Sequence, residues 1–153
     1  MKIHSADANL LDIRRQLRAV LPGVINELNE ERGDFPVKQI EEKHFYLNIE
    51  ECVNATQFVL IQGALESPKN AGSRQVESLT LDVFIGFTAN AYATKEQATL
   101  ASYRYQAALR ESVSRLNMEF GNIRYAGAEP PGSLRIGNKA LYGALVRYDI
   151  QLF

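Results

Sequence analysis

Apolar and polar positions alternate along this chain in two rhythms, one of helices and one of strands. Between residues 7 and 31, Leu10, Leu11, Ile13, Leu17, Val20, Leu21, Val24, Ile25 and Leu28 recur at helical spacing, with Arg14, Arg15 and Arg18 left on the outer side. Asp7 is placed to cap the start, and Gly33 to end the run. Pro22-Gly23 interrupts it, and the residue before a proline resists the helical region. The pattern therefore predicts one helix to about Val20 and a second, short one opening at Pro22, where a first turn tolerates proline.

Strand signals follow. Residues 35–40 form a weak candidate because Pro36 favours an edge or a turn. Phe45, Leu47 and Ile49 alternate with Tyr46 and Asn48 and predict a short strand. Phe58, Val59, Leu60 and Ile61 are apolar on both faces, as in a more central strand within residues 56–65. Residues 66–75 collect turn formers and charges and read as a loop. From residue 76 to 87, Leu79, Leu81, Val83, Ile85 and Phe87 share one face, so the runs flanking the loop predict a long antiparallel hairpin.

Thr94 followed by Gln97 resembles a capping box and opens a helix predicted to reach about Met118. Its inner stripe is Ala98, Ala101, Tyr105, Ala108, Leu109, Val113 and Leu116, and Gly121 is its stop. Residues 122–125 are a short strand candidate, and residues 126–133, with Pro130-Pro131-Gly132, read as a loop. The last fourteen residues carry the clearest alternation: Tyr142, Ala144, Val146, Tyr148, Ile150 and Leu152 face one way, and Gly143, Leu145, Arg147, Asp149 and Gln151 the other. A terminus this apolar is expected to be tied into a sheet. The order defines an α+β fold, a mostly antiparallel sheet with a long central hairpin packed against two main helices.

Composition adds limits. With 153 residues, one domain spanning 1–153 is expected, and the 46% hydrophobic content supplies a core without metal or disulfide. Seventeen Lys and Arg balance eighteen Asp and Glu, which disfavours gripping a nucleic-acid backbone as the main task. Cys52 is the only cysteine, so no intrachain disulfide forms. The first residues lack the apolar core of a signal peptide, and no run approaches the ~20 apolar residues of a membrane span. A soluble protein made in the cytoplasm is expected.

The search for chemistry is largely negative. His4 and His44 are far apart, and His44 with Cys52 lacks a third nearby ligand, so no metal is expected. Cys52 follows Glu50-Glu51, whose charges oppose thiolate formation, and it reads as a structural cysteine. Glu41, Glu42, Glu50 and Glu51 read as solvated strand ends. Gly63, Gly72, Gly86 and Gly143 are isolated and form no phosphate cradle. Asn54-Ala55-Thr56 fits a glycosylation sequon, without meaning in the absence of a secretory signal. Tyr103, Tyr105, Tyr142 and Tyr148 offer stacking surfaces but suit packing at the core rim better. Arg104, Arg110 and Arg115 give the second helix a mildly basic outer face. No cofactor is implied, and the chain does not read as an enzyme.

Three segments carry a resemblance: the opening helix from Leu10 to Leu28, the run from Glu77 to Phe87 leading to the helix from Lys95 to Leu116, and the ending from Ala140 to Asp149. In this organisation the chain resembles the tail-terminator (tail-completion) and neck proteins of long-tailed bacteriophages. It departs from them in the longer segment 35–52 and in Pro22-Gly23. The resemblance implies a hexameric ring that caps the tail tube and meets the head–tail connector, placed in the virion tail or neck, with DNA passing through the ring, no membrane contact and no catalytic residues. Ring subunits that join head to tail need two different complementary surfaces. The loops expected to supply them are residues 68–74 (Pro68, Lys69, Asn70 and Arg74) and residues 129–135 (Glu129, Pro130, Pro131 and Arg135). The alternative is a small-ligand binding or regulatory α+β domain acting as a dimer, its pocket between Tyr105 and the sheet. An enzyme is a third reading, opposed by the thin inventory of acids, bases and ligands.

Overall fold

The computed structural model describes residues 6–65, 69–71, 74–76, 78–118, 121–136 and 139–152. Two helices pack on a mixed sheet of six strands, an α+β fold as the periodicities predict.

Helix α1 runs unbroken from Ala6 to Arg32, correcting the expected split at Pro22. Ile13, Leu17, Leu21, Val24 and Ile25 form one buried stripe that crosses Pro22 without losing its spacing. An interior proline costs about 3 kcal/mol, whereas each buried aliphatic side chain contributes roughly 1.5–3 kcal/mol. Burial of Leu21, Val24 and Ile25 together outweighs the proline. Asp7, expected as the cap, lies within the first turn instead, where its charge meets the positive helix end. Gly33, at φ 70°, donates to Asn29 O at 3.2 Å and ends the helix as expected.

Residues 35–40 form no strand. Side chains supply the partners that a ladder would. The Asn29 amide binds Val37 from both sides, donating to its carbonyl at 3.0 Å and accepting from its N–H at 2.8 Å. Lys38 N donates to the Tyr92 hydroxyl at 3.0 Å, and the Tyr105 hydroxyl donates to Lys38 O at 2.6 Å. Val37 and Ile40 of this segment are themselves buried.

Strand β1 (Phe45–Tyr46) pairs in parallel with β2 (Gln57–Leu65). It stops short of the expected Ile49 because the Asn48 side chain accepts from Glu50 N at 2.9 Å and starts a 3-10 turn over Ile49–Asn54. The long hairpin is present: β2 pairs antiparallel with β5 (Ser78–Phe87) from Gln57↔Phe87 to Leu65↔Leu79. The segment read as a loop between them holds its own two-stranded ladder, β3 (Lys69–Ala71) with β4 (Arg74–Val76), separate from the main sheet.

Thr94 Oγ1 accepts from Gln97 N at 3.1 Å and opens α2 (Lys95–Ser114). The helix ends before the expected Met118. Gln16 of α1 takes both backbone groups of Asn117, at 2.8 Å each, and draws the chain off the helical path. Gly121 begins β6 (Gly121–Ala128) rather than ending α2, and much of the expected 126–133 loop is strand, since β7 spans Gly132–Ile136. Both pair antiparallel with β8 (Lys139–Leu152), with a bulge between Tyr125 and Gly127. Glu129 N donates to Leu145 O at 3.2 Å and carries the pairing up to Pro130-Pro131, after which it resumes at Gly132↔Gly143. The sheet order is β1-β2-β5-β8-β6, with β7 also on β8. The C-terminal strand is therefore tied between neighbours, as its alternation predicted.

The helices cover one face, burying Leu79, Leu81, Val83, Ile85 and Phe87 with Ala144, Val146, Tyr148 and Ile150. The other face has two halves. One is a small second core of Phe58, Leu60, Phe84 and Leu141, capped by Cys52 and Ala55 from the 3-10 turn, with Tyr46 and Leu145 at its margin. The other half is polar, centred on the directly opposed pair Asp82 and Arg147, whose atoms lie 2.8 Å apart. That contact holds the Arg147 guanidinium above its ordinary pKa, chiefly through the hydrogen bond.

Arg104 was expected on the outer face of α2 and is buried instead. It donates to Asp34 at 2.7 Å and to Phe35 O at 3.1 Å, and its guanidinium sits 4.1 Å from the Phe35 ring centroid. The hydrogen bond from Arg104, then that from Phe35 N–H, lowers the Asp34 carboxyl to about 2. A carboxyl depressed on folding adds stability above its unfolded pKa, and that contribution is lost as pH falls from near 4 through about 2. Asp34→Asn is expected to flatten this part of the acid-unfolding curve, measured by circular dichroism between pH 5 and 2, and to leave the curve above pH 5 parallel to the wild type.

Candidate assembly surfaces

The two segments expected to assemble lie on different elements. Lys69 and Asn70 belong to β3 and Arg74 to β4, and the pairings Lys69↔Val76, Asn70↔Gln75 and Ala71↔Arg74 bring these three residues onto one short hairpin. Pro68 falls outside the described residues. Glu129, Pro130, Pro131 and Arg135 lie along the outer flank of β8, where Glu129, Pro130 and Arg135 are exposed and Pro131 is half-buried. Arg135 lies in β7 rather than a loop, whereas Glu129, Pro130 and Pro131 form a short link between β6 and β7 that Gln106 of α2 fastens through Glu129 O at 3.0 Å. Proline removes a ladder donor, so Pro130-Pro131 and the Tyr125–Gly127 bulge limit indiscriminate pairing along this edge.

The opposite flank carries a surface that sequence reasoning did not single out. Leu11, Arg14, Arg15, Arg18 and Ala19 of α1, with Glu42, line an open groove of ≈ 400 Å³. The helical spacing had placed the three arginines outward; only the fold shows that they face the β1 side, because Arg18 Nη2 donates to Phe45 O at 3.3 Å. Arg15 is paired with Asp12 at 2.6 Å. Among the described residues, Arg14 and Arg18 pair with no carboxylate, and Arg18 Nε is buried without an acceptor.

A third surface is the outer side of α2. Leu100 and Tyr103 remain 41% and 55% exposed, far above the buried inner stripe of the same helix. Arg110 lies further along, 4.2 Å from the ring centroid of the exposed Tyr125. Arg115 is not part of that stripe; it ties Glu27 at 2.7 Å and Glu111 at 3.0 Å.

The remaining residues considered for chemistry have structural settings. His44 Nδ1 sits 3.0 Å from Gln57 O, and its ring stacks on Tyr46. Cys52 is buried, as a structural cysteine should be, with Sγ 3.7 Å from Asn48 O. Glu41, Glu42, Glu50 and Glu51 are exposed, although on 3-10 turns and their flanks rather than at strand ends. Among the described residues no three His, Cys, Asp or Glu side chains converge to hold a metal. The space between Tyr105 and the sheet is filled: the Tyr105 ring lies 5.5 Å from Phe87, and its hydroxyl meets Tyr92 at 2.8 Å. Burial raises the pKa of both tyrosines, which keeps the hydroxyls protonated as donors. Among the described residues no helix is long and apolar enough to cross a membrane. Comparison with known protein families and with curated proteins gives no match to this chain.

Proposed function

We propose that this protein is a structural component of a phage virion that caps the tail tube and contributes to the head–tail joint, working as a ring, of six copies on the family analogy. One observation carries this reading. The two flanks of the helix–sheet sandwich differ in kind, an arginine-lined groove beside β1 on one side and the proline-interrupted β6–β7 edge on the other. Different surfaces on opposite flanks suit heterologous, head-to-tail association, which closes into a ring when the rotation per subunit allows. The separate β3–β4 hairpin and the two-halved second face are the surfaces available for the tail tube protein and the connector. DNA meets the ring only in transit, in keeping with the balanced charge.

A direct test adds the purified full chain to tail tubes and images them by electron microscopy. Density at one end of each tube, with elongation stopped, supports the reading. Binding along the tube wall or no binding contradicts it. The hairpin has its own prediction: Lys69→Glu with Arg74→Glu should impair ring or tail assembly while the monomer stays folded by circular dichroism. Unchanged assembly removes this hairpin from the interface.

A further inference from the structure

The outer stripe of α2 and the groove on α1 have matching chemistry. On α2, Glu96, Leu100 and Tyr103 follow one another at four and three residues, so they stand in line on the exposed side. Among the described residues Glu96 has no ion-pair partner, and Leu100 and Tyr103 are the two large apolar side chains this helix leaves exposed. On α1, Leu11, Arg14 and Arg18 stand in line at three and four residues, with Leu11 47% exposed. The first stripe is acid, aliphatic, aromatic; the second is aliphatic, cation, cation. Each spans seven residue steps, about 10 Å of helix rise.

We infer that α2 of one copy lies antiparallel along the α1 groove of the next copy, with Glu96 on Arg18, Leu100 over the Arg14 stem and Tyr103 against Leu11. The alignment follows from the spacings, because an antiparallel match brings all three pairs into register together and a parallel one sets Glu96 against Leu11. It also answers the local imbalance of charge. With Arg15 held by Asp12, the groove keeps Arg14 and Arg18 beside Glu42. Among the described residues Arg18 makes one hydrogen bond, at 3.3 Å to Phe45 O, with its guanidinium 5.9 Å from the Phe45 ring centroid. A carboxylate on that guanidinium is a charge-assisted contact. The Tyr103 ring brings a large apolar area at small entropic cost, and Arg14 is near enough along the groove for its guanidinium to meet the ring face. In the fold, α1 packs on β2 and α2 on β7 and β8, with the two helices side by side, so the stripes are two different surfaces on two different elements, as head-to-tail joining of copies requires. This inference rests on the ring reading only in taking a second copy of the chain as the occupant.

The test is a charge swap on the full chain, read by sedimentation velocity across concentration, with circular dichroism melts confirming the fold. The wild type should assemble. Arg18→Glu and Glu96→Arg should each raise the concentration for half-assembly by about tenfold or more, as expected for a close interfacial charge pair. The double variant should return most of that loss. Leu100→Asp, at an exposed site, gives the same loss by a route that leaves Arg18 and its contact with Phe45 intact, and it decides the matter should Arg18→Glu not fold. Wild-type assembly that none of these substitutions shifts, or a double variant no better than the singles, overturns this pairing while leaving the ring reading in place. A wild type that stays monomeric at every concentration overturns both.

Discussion

Phe87→Ala should lower the unfolding free energy by about 3–5 kcal/mol, the range for removing a buried aromatic ring and leaving a cavity. Phe87 is fully buried at the end of β5, and three tyrosines surround it: Tyr92 at 5.2 Å, Tyr105 at 5.5 Å and Tyr142 at 6.0 Å between ring centroids. Tyr92 and Tyr105 are also the side chains whose hydroxyls hold the backbone of Lys38. The same ring therefore supports the core and the segment 35–40 across the helix layer. Loss of Phe87 should loosen residues 35–40 along with the sheet, so amide exchange at Lys38 should rise in the variant. Denaturant unfolding measures the total. A loss under about 1 kcal/mol would mean that the site collapses around the smaller side chain and that the tyrosine cluster does not depend on Phe87.

The second large effect comes from overfilling. Gly143 of β8 stands directly opposite Gly86 of β5, and the ring of Phe84 lies across the pair on the second face. A Cβ at Gly143 would meet the backbone carbonyl of Ile85 and two carbons of the Phe84 ring at 2.6 Å. A Cβ at Gly86 would fall 2.6 Å from Phe58 and 2.7 Å from Phe84. Both glycines are there because two aromatic rings need a flat floor. Gly143→Val should cost about 1–3 kcal/mol or more, since one of the obstructing atoms is backbone in a central strand and cannot rotate away. Combining it with Phe84→Ala should cost less than the sum of the two single changes, because the ring part of the clash is removed. Strict additivity would mean that the glycine and the ring do not share this space.

These sites mark where the sequence was readable. The five-residue stripe from Leu79 to Phe87, the Thr94 cap and the alternation from Tyr142 to Ile150 all appear where their periods placed them, because each signal is local. The misses share a physical cause, a distant partner overruling a local preference. Pro22 argues for a break, but Leu21, Val24 and Ile25 are buried on the sheet side and hold the helix together. Residues 35–40 lack a strand partner because the amide of Asn29 and the hydroxyls of Tyr92 and Tyr105 take that part. Gln16 ends α2 early from across the helix pair. Turn-forming composition predicted loops at residues 66–75 and 126–133. Residues 69–71, 74–75, 126–128 and 132–133 are strand instead, since short edge strands tolerate the same amino acids, while residues 129–131 do lie outside any strand.

The places of the segments proposed for assembly were legible in the same uneven way. Lys69, Asn70 and Arg74 do share one hairpin, and Glu129 to Arg135 do share one flank. Arg104 was misplaced because its spacing on α2 points it toward Asp34, seventy residues away in the chain. The α1 groove was half visible: the periodicity set Arg14, Arg15 and Arg18 outside, whereas their position on the β1 flank depends on Phe45 and Glu42, which no helical pattern can locate.

Light scattering coupled to gel filtration, followed by class averages of the same fraction, tests most directly whether this chain builds a ring from two unlike flanks. The account predicts a particle of about six chain masses with rotational symmetry and a central opening. A monomer at all concentrations contradicts it, and so does a two-fold dimer in which both copies present the same surface.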